Sequence, residues 1–153
     1  MNLAGLLHVN INCSDFDRSK VFYERLGFRE LMPIEQEASG AIAAAVGMGE
    51  YRLRGALMRS RDGTIIDLLE WQSPRDVERP YASLNHLGLA RIAFISTDID
   101  ADMETLRAAD VTFVSEAPAV VTTADGSVSR FICFEDPDGT VLELVEMTPP
   151  PKD

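Results

Sequence analysis

The chain has 153 residues, of which 46% are hydrophobic and 25% charged, with 14 Lys+Arg against 25 Asp+Glu for a formal charge of −11. That length and balance suit one compact globular unit, not a disordered or fibrous chain. The acidity argues against nucleic acid, which needs a basic face, and no apolar run reaches the ~20 residues of a membrane helix.

Leu7, Val9 and Ile11 alternate with His8, Asn10 and Asn12, the period of a strand with two chemically different faces. Ser14 or Asp15 then caps a helix that runs to about Leu26, with Phe22 and Leu26 on one face and Gly27 ending it. Short apolar runs follow at Ala41–Val46, Leu53–Met58 and Ile65–Trp71, each expected to be a strand. Residues 72–87 connect to a second part that repeats this order. Thr97 or Asp98 caps a helix carrying Met103 and Leu106, and strands are expected at Val111–Val114, Ser129–Phe134 and Thr140–Met147. The Pro149-Pro150-Pro151 tail cannot extend a strand.

The repetition is a duplication. Residues 5–17 align with 88–100 at an offset of 83 (Gly88 against Gly5), and 62–71 align with 138–147 at an offset of 76 (Asp138 against Asp62). Two modules are therefore expected, 1–71 and 88–148, each strand–helix–strand–strand–strand, and the second is shorter by seven residues between its anchors. The fold class is α+β.

Ser14-Asp15-Phe16-Asp17-Arg18-Ser19 and Phe22-Tyr23-Glu24-Arg25-Leu26-Gly27-Phe28, together with Glu135-Asp136-Pro137-Asp138-Gly139-Thr140-Val141-Leu142-Glu143-Leu144, resemble the vicinal oxygen chelate superfamily. That group includes glyoxalases, extradiol dioxygenases, and fosfomycin and bleomycin resistance proteins. The resemblance implies two βαβββ modules forming a curved mixed sheet around one cavity. It also implies a divalent ion (Ni, Zn, Mn or Fe) held by one residue from the first and last strands of each module. In this chain those positions are His8, Asp67, Arg91 and Glu143. His8, Asp67 and Glu143 can ligate. Arg91 cannot, because guanidinium keeps its proton and has no free lone pair.

Three functions follow from the resemblance. One is a metal-dependent lyase, isomerase or dioxygenase with His8, Asp67 and Glu143 on the ion, and Glu143 or a neighbouring carboxylate moving the proton. Another is a metal-free enzyme in which Arg91 holds a substrate oxyanion or carboxylate, with His8 or Glu143 as the general base and Asn10 and Asn12 on the His8 face as ligand-binding groups. The last is a protein that sequesters a small molecule without chemistry. His86 lies in a connecting loop and could replace the missing ligand. Cys13 and Cys133 read as small core residues in a reducing, cytoplasmic setting. Glu70 and Glu146 read as solvent or interface residues, and the resemblance implies a homodimer with a small-molecule ligand.

Overall fold

The computed structural model describes residues 2–81 and 83–150, so Ala82 of the connecting loop and Pro151 of the tail lie outside the described residues. The chain divides between Glu78 and Arg79 into two compact units. The first contains β1 (Val9–Asn12), α1 (Phe16–Arg25), β2 (Arg29–Ala38), α2 (Gly40–Ala45), β3 (Tyr51–Arg59) and β4 (Ile65–Ser73). The second contains β5 (Ile92–Ile95), α3 (Ile99–Arg107), β6 (Ala119–Thr122), β7 (Val128–Glu135) and β8 (Val141–Thr148). Each unit holds one four-stranded mixed sheet, in the orders β1-β4-β3-β2 and β5-β8-β7-β6. First and last strands pair in parallel, and the remaining neighbours run antiparallel. The expected α+β architecture of two modules is therefore present. Among the described residues, no helix is long and apolar enough to cross a membrane.

Local chemistry explains the helices. Asp15 accepts a hydrogen bond from Arg18 N at 3.1 Å and Asp98 from Ala101 N at 3.0 Å, so each helix starts on an aspartate that satisfies an otherwise free donor. α1 buries Phe22 and Tyr23, and α3 buries Ile99, Met103 and Leu106. α1 covers the β4 face that carries Ile66, Leu68 and Glu70, leaving Asp67, Leu69 and Trp71 on the opposite face. Gly55 on β3 is required by space: a Cβ there would lie 2.1 Å from the Leu68 carbonyl oxygen.

Four expectations need correction. The Ala41–Val46 run is the helix α2, and the second strand of module one is Arg29–Ala38. Consecutive alanines favour helix, and Gly47 at φ 71° ends it. Val111–Val114 makes only an isolated bridge, Phe113 with Phe134, and the strand lies later at Ala119–Thr122. Both missed strands are sheet edges and largely exposed: β6 has no inward position, and β2 has only Ile34, Gln36 and Ala38, so the alternating signal is weak. β1 begins at Val9, and Leu7 is exposed and not part of the core. Glu70 and Glu146 are not free surface groups. Glu70 accepts from Phe16 N at 2.9 Å and pairs with Arg54, while Glu146 accepts from Ile99 N at 2.9 Å and pairs with Arg130.

Candidate functional site

In module one the parallel pairing of β1 and β4 sets Asn10 beside Asp67. His8 precedes β1, and its Nε2 lies 3.8 Å from Asp67 Oδ2. Asn10 Nδ2 donates to the Asp67 backbone oxygen at 3.3 Å. His8 Nδ1 and Asp67 Oδ1 are buried with no hydrogen-bond partner among the described residues. Burial pushes the Asp67 carboxyl above its ordinary range, against a smaller downward pull from His8 and Asn10. Two buried polar atoms without a partner, on neighbouring residues, leave a place where an added donor or acceptor would gain free energy. Asn12 does something else: its Oδ1 accepts from Trp71 Nε1 at 2.9 Å.

In module two Arg91 stands where module one has His8, and Glu143 stands where it has Asp67. Arg91 Nε lies 3.2 Å from Glu143 Oε2, with the arginine side chain 43% and the glutamate 9% exposed. Cys133 faces Glu143 across the β7–β8 ladder and its Sγ donates to Glu143 Oε1 at 3.9 Å. Burial pushes the Cys133 thiol up, Glu143 adds to that, and Arg91 opposes it. Cys13, by contrast, is a buried core thiol that donates to the Leu69 oxygen at 3.4 Å, as a small packing residue would. His86 lies in an exposed turn with its N–H on the Ser83 oxygen, and its side chain joins no site group in its module.

These contacts decide how well the chain suits the divalent ion that the resemblance implies. Module one supplies two donors, His8 and Asp67. In module two the guanidinium of Arg91 already neutralises Glu143 and brings no lone pair of its own. No group of three or more His, Cys, Asp or Glu that could hold an ion forms among the described residues. The residues therefore do not fit the four-ligand metal site, because one of the four positions is an arginine. Cys133 was legible in principle. The Asp136–Gly139 turn fixes the ladder, and counting back from it sets position 133 against 143.

Comparison with known proteins agrees with this architecture. Residues 5–144 match the model of the Glyoxalase/Bleomycin resistance protein/Dioxygenase superfamily. The chain is 29% identical over 148 residues to the uncharacterized protein YwkD of Bacillus subtilis, covering 95% of this chain and 99% of that one. A crystal structure of a glyoxalase family protein from Bacillus cereus superposes with a TM-score of 0.83 at 22% identity, over 96% of each chain. The fosfomycin resistance protein FosX from Listeria monocytogenes, solved with manganese(II) and sulfate, superposes at 0.55 with 19% identity, over 95% of this chain and 94% of that one. Those two likenesses speak for the fold, and the matched span carries the assignment: the chain belongs to the glyoxalase/bleomycin resistance protein/dioxygenase superfamily.

Proposed function

We propose that this protein is a small-molecule enzyme of the glyoxalase/dioxygenase type that acts on a substrate bearing a carboxylate or vicinal oxygens, with Arg91 supplying the positive charge that a metal would otherwise supply. The observation that supports this reading is the contact of Arg91 with the buried Glu143. A guanidinium presents a planar fork of donors that matches a carboxylate, so an incoming substrate anion competes with Glu143 for it. Once Arg91 turns to the substrate, Glu143 is a buried carboxylate released from its counter-ion and free to act as the base. It then takes a proton from the carbon beside the substrate carbonyl, the C–H pair moves into an enolate, and the proton returns from the same carboxyl. His8, next to Asp67 in module one, is the other group suited to general acid–base work. We also assign the protein to the cytoplasm, where its two thiols stay reduced, and to a homodimer, which light scattering tests directly.

The experiment is hydrogen–deuterium exchange in D₂O at C3 of 2-oxo acids and at C2 of 2-hydroxy acids, followed by NMR with wild type, Arg91→Gln and Glu143→Gln. Exchange catalysed by wild type and lost in both variants supports the reading. Tight binding without exchange makes the protein a sequestering one. One equivalent of divalent ion in protein purified without a chelating tag, lost in His8→Ala, overturns the metal-free assignment.

A further inference from the structure

The seven residues by which module one exceeds module two have a definite place. β2 and β3 are joined by residues 39–50, twelve residues, whereas β6 and β7 are joined by 123–127, five. The excess builds α2. That helix sets Ala43 into a cluster with Ala38, Tyr51, Leu53 and Leu69, and Trp71 packs at its rim, half-buried. Leu69 and Trp71 lie two and four residues beyond Asp67 on β4, on the face that carries the His8–Asp67 pair. The indole is held from two sides: Nε1 donates to Asn12 Oδ1 at 2.9 Å, and the Tyr51 ring lies 5.1 Å away at 57°. A cleft of about 450 Å³ opens on the other side of Tyr51, lined also by Glu37, Glu50, Arg52 and Ser73 and not by Trp71.

Module two shows that the fold does not need this arrangement. Ile95 stands at the position of Asn12 and Met147 at that of Trp71, both exposed, and no helix covers them. The aromatic shelf is therefore an addition to one module. Its orientation, with the polar edge bonded and one part of the ring open, suits stacking on a flat apolar group.

We propose that Trp71, held by Asn12 and Tyr51 at the rim of α2, is a specificity-determining residue that takes a flat apolar group of the ligand whose hydroxyl meets His8 and Asp67. This rests on the small-molecule reading above and adds a class: a hydroxy acid with an aromatic terminus. Asp67 and Trp71 are four residues apart on one strand, about 13 Å between their Cα atoms, which sets the length between the two ends.

Trp71 is the single tryptophan of the chain, so its emission reports on this face alone. The test titrates wild type with phenyl-terminated 2-hydroxy acids carrying one to five methylenes, and with the same acids lacking the phenyl, by calorimetry and by indole fluorescence. The expected result is at least a tenfold gain in affinity from the phenyl at three to five methylenes, with a change in emission at saturation. Trp71→Phe keeps most of that gain and Trp71→Leu loses it, each checked for an unchanged far-UV spectrum. A gain below twofold, or unchanged emission at calorimetric saturation, overturns the shelf and leaves the functional reading standing. No binding by either series overturns the functional reading and the shelf with it.

Discussion

Glu70 and Glu146, at equivalent positions of β4 and β8, each give a carboxylate oxygen to the first backbone N–H of their module's helix, Phe16 N and Ile99 N, both at 2.9 Å. Arg54 and Arg130 then join those glutamates to Asp17 and Asp100 in the same helical first turns. The duplication has kept a complete lock between helix and sheet, four residues in each copy.

The lock predicts unequal costs. Glu70 is the more buried of the two, its side chain 12% exposed against 23% for Glu146. Glu70→Ala removes a charge-assisted bond to a helix start and leaves Arg54 short of a partner, for a loss of about 2–4 kcal/mol. Glu146→Ala is expected to lose about half of that, because water reaches it. Urea unfolding of the two variants checks the order, and equal losses would contradict it.

The turn after each helix gives a second prediction. Gly27 has φ 92° and its equivalent Asp110 has φ 59°, so a side chain sits where the backbone favours glycine. Gly27→Ala is expected to cost about 1 kcal/mol. Asp110→Gly removes that strain against the extra freedom of the unfolded chain, for a net change between zero and about 1 kcal/mol in favour of the fold. Thermal melts of both variants read the signs.

Asp67 supplies the pH dependence. Its carboxyl is held above the ordinary range by burial, so the fold prefers its neutral form. For a group raised in this way, the stabilisation is fully present below the unfolded pKa, about 4, and is lost as pH rises through the folded value. Asp67→Asn, neutral at every pH, is therefore more stable than wild type at pH 7, and the advantage shrinks as pH falls towards 4. Urea midpoints for the two proteins across that range decide it; an advantage that grows on acidification would sink the assignment.

Arg91 and Glu143 give a coupling. Arg91→Met leaves a buried carboxylate without its counter-ion, and Glu143→Gln alone leaves a guanidinium that water already reaches. The first is expected to cost about 1–2 kcal/mol, the second less, and the double variant is expected to recover most of the first loss. A double-mutant cycle in urea measures the coupling, and simple additivity would dissolve the pair.

Much of this was legible in the sequence where burial imposes a pattern. The duplication, both helix caps and the central strands follow from spacing, because one face of each packs against a helix. The edges did not follow. Arg29–Ala38 has a single partner strand and carries Pro33, and only its second half alternates, with Gln36 rather than an apolar residue at one of the three inward positions, so its pattern is faint in the sequence. The Arg91–Glu143 contact was foreseeable from the repeat. The Trp71–Asn12 bond was not, since it depends on two side chains meeting across a parallel pair 59 residues apart.

Helix α2 has no charged residue in its first or last turn and buries only Ala43, while Ile42 and Val46 face outward. Its remaining positions can thus be rewritten with little effect on the sheet beneath. They stand at the rim of the Trp71 surface on the His8 face. Ligand preference and folding stability are in this way encoded in separable positions, and a library confined to residues 39–50 that keeps Gly40, Ala43, Gly47 and Met48 can vary the first while holding the second nearly constant.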